Sequence, residues 1–132
     1  MLGCSKSVKD EDGNQEEENL NSGIIQNHAY GLEDVRDMQQ YGLKLVKIRN
    51  PWGHSGWNGK FCDEDEAWDE YKGLKDTLKY SFEQNGTWWM TFEDFAAHFN
   101  KLYICKIFPP TWQQYSITDS WEGKTAGGPY PW

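Results

Sequence analysis

Apolar residues along the chain fall into short extended segments separated by polar turns. These segments are rich in β-branched and aromatic side chains, which favour strands on a half-buried sheet. Pro51 ends one of them, because proline has no N–H for a sheet hydrogen bond and restricts the preceding residue to extended geometry. Polar residues after position 30 predict a turn. The predicted strands lie at residues 1–5, 23–30, 43–49, 86–90 and 102–108, with one more around Tyr115, Ile117 and Trp121.

Two stretches have helical periodicity instead. Between residues 63 and 82 apolar residues recur at helical intervals, but Gly73 interrupts them, which predicts an irregular helical segment. Thr91 followed by Asp94 is typical of a helix N-terminus, where the two residues pair in a capping box. The helix after this cap is predicted to bury one apolar face against the core. That face consists of Phe92, Phe95, Phe99 and Leu102.

Short connections between successive strands favour antiparallel pairing. The predicted fold is therefore α+β, a subdomain dominated by an antiparallel β-sheet with two or so flanking helices. We expect it to occupy residues 1–132 as one domain. If the segments at 23–30 and 43–49 pair, His28 and Asn50 come to the same edge of the sheet.

The charge balance and the cysteines narrow the expected partners. The formal net charge is −8, and without a dense Lys/Arg stripe we expect no nucleic acid partner. No apolar run approaches the roughly 20 residues that cross a bilayer, so we expect no stable membrane insertion. Three widely spaced cysteines form neither a disulfide framework nor a zinc pattern, which favours reduced thiols and a cytoplasmic location.

His28 and Asn50 have the residue types of a base and its orienting partner. In a cysteine protease a histidine takes the proton of a thiol and later returns it to the leaving amine. An asparagine carbonyl can fix the imidazole ring without adding a negative charge beside a thiolate–imidazolium pair. Spacing by itself leaves a structural or merely exposed histidine as the more common alternative.

The segments around these two residues resemble those of the calpain family of cysteine proteases. Residues 48–53 match the family segment I-R-N-P-W-G at every position, and residues 27–30, N-H-A-Y, are similar to its G-H-A-Y segment. An ordered series of matches is far more specific than one short motif. Further similar segments follow in family order at residues 2–5, 57–59, 89–95 and 125–128.

The resemblance implies the β-rich half of a papain-like protease core. It implies a catalytic role for His28 and an orienting role for Asn50, with Trp52 shielding the bond between them from water. In the family the nucleophilic cysteine comes from a preceding subdomain, which we interpret as absent from this chain. That Cys-bearing subdomain of the same parent chain is the expected partner, and a protein or peptide substrate would lie between the two.

By itself the chain is expected to be inactive. A reactive thiol needs an electropositive setting, whereas Cys62 precedes four acidic residues. By the resemblance, Cys4 and Cys105 take structural positions in the family.

Calpains are usually activated by calcium, which prefers oxygen ligands and several carboxylates. The family positions for calcium ligands in this half hold Gly56, Asp63, Asn85 and Thr87, and only Asp63 carries a charge. Glu83 could add a backbone oxygen. We therefore interpret the site as degraded and expect no cofactor in this chain alone, although calcium is possible in the parent enzyme.

Two features depart from the family pattern. Asn27 stands where the family has glycine, which bears on how a substrate backbone passes His28. Residues 8–22 are almost entirely polar and acidic and have no family signature. Such a segment cannot bury enough apolar surface to join a core, so we interpret it as a flexible, solvated loop without effect on catalysis.

The alternative function is a non-catalytic calpain-homology module that binds another protein. The chain contains eight tryptophans, seven tyrosines and six phenylalanines, and aromatic side chains on a surface are typical of protein interfaces. The replaced calcium positions favour this alternative, whereas the presence together of His28, Asn50 and Trp52 favours the enzyme, since a pure scaffold has no chemical need for all three.

Overall fold

A five-stranded antiparallel sheet forms the body of the subdomain, in a computed structural model that describes residues 1–9, 11–54, 56–82, 85–113, 115–120 and 122–123. The strands are β1 (Leu2–Ser5), β2 (Glu18–Asn19), β3 (Ile25–Gln26), β4 (Ala29–Met38), β5 (Leu43–Arg49), β6 (Thr87–Thr91) and β7 (Lys101–Ile104). The large sheet has the order β6-β5-β4-β1-β7, and β2 pairs with β3 in a separate two-stranded sheet. The predicted α+β fold with an antiparallel sheet is confirmed.

Three short helices accompany the sheet: α1 (Ala67–Glu70), α2 (Leu74–Leu78) and α3 (Phe92–His98). The irregular helical segment predicted at 63–82 is confirmed as α1 and α2, which Gly73 separates in a left-handed conformation with φ of 80°. A 3-10 turn, Gln39–Tyr41, connects β4 to β5. Among the described residues no helix has the length and apolar character that crossing a bilayer requires.

The central strand β4 differs from the prediction. The segment 23–30 does not form one strand, because Asn27 adopts a left-handed φ of 57° and separates β3 from β4. The polar residues after position 30, predicted as a turn, instead continue β4 to Met38. The start of β4 pairs with both β1 and β5, whereas residues 34–38 pair with β5 alone, and this pairing overrides their weak local preference for a strand.

Both faces of the sheet are covered around β5 and β6, which explains why these strands lack strict polar alternation. Val46 and Ile48 pack in one core cluster with Trp88, while Leu45 and Trp89 pack in a second cluster with α1 and α2. Neighbouring residues on a strand point to opposite faces, so consecutive apolar residues of β5 and β6 pack into the two different core clusters.

The end of the chain departs from the prediction. The helix α3 ends at His98, and Phe99 is already extended, so the expected apolar face is broken; Phe92 and Leu102 are exposed, whereas Phe95 and Phe99 pack on the core. The strand predicted at 102–108 stops at Ile104, and residues 115–120 form no strand. Trp121 and the segment 125–128 lie outside the described residues.

The cap of α3 gives a direct test of the local sequence rule. The Thr91 hydroxyl oxygen accepts the Asp94 N–H at 3.0 Å and donates to the Asp94 carboxylate at 2.7 Å. We expect Thr91→Ala to lower the free energy of unfolding by about 1 kcal/mol, because one N-terminal N–H of the helix loses its partner. Urea denaturation measures the change. Thr91→Ser keeps the hydroxyl and should cost less; equal losses in both variants would contradict the role of the cap.

Candidate active site

His28 and Asn50 meet at one end of the paired strands β4 and β5. His28 immediately precedes β4 and Asn50 immediately follows β5, and the two strands run antiparallel with Gly31 opposite Arg49. Both side chains are buried. The imidazole Nε2 of His28 lies 3.0 Å from Oδ1 of Asn50, so the predicted proximity of the two residues is confirmed.

The amide of Asn50 decides which ring nitrogen carries a proton. Its Oδ1 also accepts the backbone N–H of Trp52 at 3.0 Å, an Asx-type turn in which the side chain bonds the backbone two residues on. A backbone N–H can only donate, so the atom that it meets is the carbonyl oxygen and not the NH₂ group. Nε2 of His28 is therefore the donor, and Nδ1 is the nitrogen that faces any group brought to the site.

A tight turn holds Asn50 in place. Its backbone N–H donates to the Gly86 carbonyl at 2.8 Å, and its own carbonyl accepts the Gly53 N–H at 3.1 Å. Gly86, just before β6, has a positive φ of 81°, and a Cβ there would lie 2.7 Å from the Asn50 carbonyl oxygen. Only glycine fits this approach, so β6 fixes the turn that presents the amide to His28.

Two aromatic rings enclose the imidazole. The Trp52 ring lies with its centroid 4.2 Å from that of His28, and the Tyr30 ring meets it edge-on at 4.9 Å. Trp52 is 51% exposed, so it covers the site on the side that faces solvent. Sequence reasoning did not single out Tyr30, although it is the last residue of the N-H-A-Y segment; its hydroxyl accepts the Ile25 N–H at 2.8 Å and so ties β3 to β4.

The acidic loop supplies a residue that sequence reasoning also missed. Oε1 of Glu17 lies 2.9 Å from Nδ1 of His28, and the Glu17 side chain is 46% exposed. The loop is therefore not wholly detached from the rest of the chain, because β2 within it pairs with β3. No pattern in residues 8–22 could have indicated this contact, since several acidic residues there are equivalent by sequence alone.

None of the three cysteines is suited to act as the nucleophile. Cys4 is buried, and burial raises the pKa of its thiol to about 12. Burial, together with the carboxylates of Asp65 and Asp63, raises the pKa of the Cys62 thiol. Cys105 follows β7 and is exposed, and among the described residues it makes no hydrogen bond to His28.

The residues expected at a calcium site come together but do not fit the ion. Asp63, Asn85 and Thr87 line one polar cavity of about 50 Å³, where Lys47 also lies. Asn85 Oδ1 already accepts the N–H and hydroxyl of Thr87, at 3.0 and 2.6 Å, and Gly56 has no side chain to offer. Calcium prefers six to eight oxygens with several carboxylates, whereas a single carboxylate with the neutral side chains of Asn85 and Thr87 forms a poor cation site.

Within the part of the chain that the structure describes, no group of three or more His, Cys, Asp or Glu residues is placed to hold a metal ion. Burial also raises the pKa of the Asp63 carboxyl, which opposes the charged form that a cation needs. Glu83, considered as a further ligand, lies outside the described residues.

Comparison with known proteins identifies the family of the chain. A family model for calpain family cysteine proteases matches residues 1–106. The calpain-type cysteine protease ADL1 of Oryza sativa subsp. japonica is 42% identical over 109 residues, which cover 81% of this chain and 5% of that protein. Calpain-9 of Rattus norvegicus is 34% identical over 144 residues, which cover 97% of this chain and 20% of that protein. The chain belongs to the calpain family of cysteine proteases, and spans only a small part of these relatives.

Gly86 provides a structural test of the turn. We expect Gly86→Ala to lower the free energy of unfolding by more than about 1 kcal/mol, because the new side chain meets both a positive φ and the Asn50 carbonyl. Gly42→Ala is the matched control, since Gly42 also has a positive φ of 64° but nothing lies within 4 Å of its Cβ position. Urea denaturation compares them; an equal loss in both would contradict a tight contact at Gly86.

The poor fit for calcium leads to a second test. Titration of the chain with calcium in a calorimeter should give no stoichiometric heat, because too few carboxylates face the cavity. Asp63→Asn is the control and should give the same trace. A saturable heat in the natural chain that disappears in the variant would contradict the description of this site.

Proposed function

We propose that the chain is the His/Asn half of a calpain-type cysteine endopeptidase. The observation that carries the proposal is the buried contact between His28 Nε2 and Asn50 Oδ1, with Trp52 against the ring. This arrangement holds the imidazole so that Nδ1 faces outward. A scaffold has no need for a histidine ring fixed in one tautomer, whereas a general base does.

The nucleophile would come from a Cys-bearing subdomain of the same parent chain. Its thiol would transfer a proton to Nδ1 of His28, and the thiolate sulfur would attack the carbonyl carbon of a peptide bond. The imidazolium would return the proton to the leaving amine as the C–N bond breaks. Water would then give a proton to Nδ1 and hydrolyse the thioester, which restores the thiol.

Asn50 and Trp52 would act on this cycle through His28. The amide oxygen stabilises the imidazolium by accepting from Nε2–H without carrying a charge that would compete for the proton. The indole limits access of water to that hydrogen bond, which strengthens it. The chain by itself is proposed to be inactive, because Cys4 and Cys62 have raised pKa values and neither forms a pair with His28.

A second candidate function rests on a different observation. The edge strand β7 and the segment after it expose a run of large apolar side chains, including Ile104, Ile107 and Trp112. Surfaces of this kind bind other proteins, so a non-catalytic interaction module remains the alternative. The two proposed functions differ in whether His28 takes part in a chemical reaction.

Mixing the chain with the Cys-bearing subdomain of the parent protein tests the proposal. Cleavage of an unstructured protein substrate should appear only in the mixture, and His28→Ala should lower its rate by about 100-fold or more, since the general base is lost. Asn50→Ala should cause a smaller loss because the ring is present but no longer fixed.

His98→Ala is the control, because His98 lies on α3 and has no part in the proposed chemistry; it should cleave at the natural rate. A folded mixture that binds but does not cleave would support the interaction module instead. Cleavage that survives His28→Ala unchanged would contradict the proposed role of the histidine.

A further inference from the structure

The nitrogen of His28 that a nucleophile would have to reach is already occupied. Nε2 is bonded to Asn50, which leaves Nδ1 as the free position of the ring, and there Oε1 of Glu17 lies at 2.9 Å. At this distance the carboxyl group and Nδ1 are within hydrogen-bond reach, so Glu17 occupies the Nδ1 side of the ring. With Glu17 in this place, no thiol can reach Nδ1 to transfer its proton.

The residues on both sides of Glu17 are held by hydrogen bonds to Gln26 and Asn27. The amide NH₂ of Asn27 donates to the Glu16 carbonyl at 2.7 Å, and Gln26 donates to the Glu18 carboxylate at 2.6 Å. The Glu18–Asn19 strand also pairs with Ile25–Gln26. The bonds made by Glu16 and Glu18 therefore position Glu17 over His28. The contact does not depend only on the reach of a flexible side chain.

Asn27 joins the start of the acidic loop to its middle. Its Oδ1 accepts the Val8 N–H at 2.9 Å while its NH₂ group bonds Glu16. A glycine, the residue that the resembling family segment has at this position, has no side chain to make either bond. The departure from the family pattern and the contact of Glu17 with His28 therefore belong to one arrangement.

The same arrangement can be undone at modest cost. The Glu17 side chain is nearly half exposed, so solvent screens its attraction to the ring. A cavity of about 410 Å³ lies between the loop and the strand beneath it, lined by Val8, Glu16, Glu17 and Gln26 among others. The loop is therefore bonded at a few points and not packed into the core.

We propose that Glu17 is a displaceable latch on His28. Its carboxyl group occupies the place beside Nδ1 that the nucleophile needs, until the Cys-bearing half arrives. The inference rests on the proposed function for its consequence, since a thiolate must take the place of the carboxylate. A carboxylate and a thiolate cannot both lie at that distance from Nδ1 without strong repulsion. Docking of the two halves then requires Glu17 to withdraw, and Asn27 sets how readily the loop does so.

Labelling with diethyl pyrocarbonate tests the latch without any enzyme activity. The reagent acylates an unprotonated ring nitrogen, and mass spectrometry reports His28, His54 and His98 separately. We expect Glu17→Ala and Asn27→Gly to raise the labelling rate of His28 by about tenfold, because a position occupied in most molecules becomes free. Glu16→Ala removes the same charge from the adjacent residue but keeps the backbone bond to Asn27, and should label like the natural chain.

The other two histidines serve as internal references. His54 is exposed and should react rapidly in every variant, while His98, which packs against Trp57, should keep its natural rate if the fold is intact. An unchanged rate at His28 in both Glu17→Ala and Asn27→Gly would overturn the latch. So would an equal increase in Glu16→Ala, because general loss of charge would then explain the effect.

Cleavage in the mixture with the Cys-bearing half provides the second arm. At limiting concentration of that half, Glu17→Ala should cleave about tenfold faster than the natural chain, since a larger fraction is competent to dock. Faster labelling together with slower or unchanged cleavage would overturn the latch as an inhibitor. Faster labelling with no cleavage by any variant would overturn the proposed protease function while leaving the contact itself in place.

Discussion

A buried hydrogen bond joins Nε2 of His28 to Oδ1 of Asn50, and the chemistry of the site depends on its direction. The Trp52 N–H identifies the amide atom that it meets as the carbonyl oxygen. That oxygen accepts from Nε2, so Nε2 carries a proton, and Nδ1 is the ring nitrogen that faces outward. Each step follows from what a donor or an acceptor can do. The site is therefore determined by one short turn at the end of β5.

Three features of the fold position this turn. The pairing of β4 with β5 brings the histidine and the asparagine to one end of the sheet. The start of β6 supplies the Gly86 carbonyl that accepts the Asn50 N–H, at a place where a side chain would collide with the turn. Core residues on both faces of β5 and β6 then hold these strands, so that the position of the amide is a consequence of packing some distance away.

Much of this could be predicted from the sequence, and the exceptions have physical causes. The strand ended by Pro51, the cap at Thr91 and the meeting of His28 with Asn50 follow from local rules and from pairing of successive strands. The length of β4 could not be predicted, because its polar residues become a strand only through their pairing with β5.

The contact of Glu17 with His28 escaped prediction for a related reason. Its position depends on the left-handed conformation of Asn27 and on bonds between residues far apart in the sequence. Composition correctly indicated a solvent-exposed acidic segment, but it could not show which carboxylate the backbone would place beside the ring.

Long-range ¹H–¹⁵N correlation spectra of the histidine rings test the direction of the central hydrogen bond most directly. We predict that Nε2 of His28 is protonated, and that its proton exchanges slowly because the ring and the amide are buried. An unprotonated Nε2 in the folded chain would contradict this prediction, since the Asn50 oxygen would then have no donor on the ring and Nδ1 could not serve as the outward-facing base.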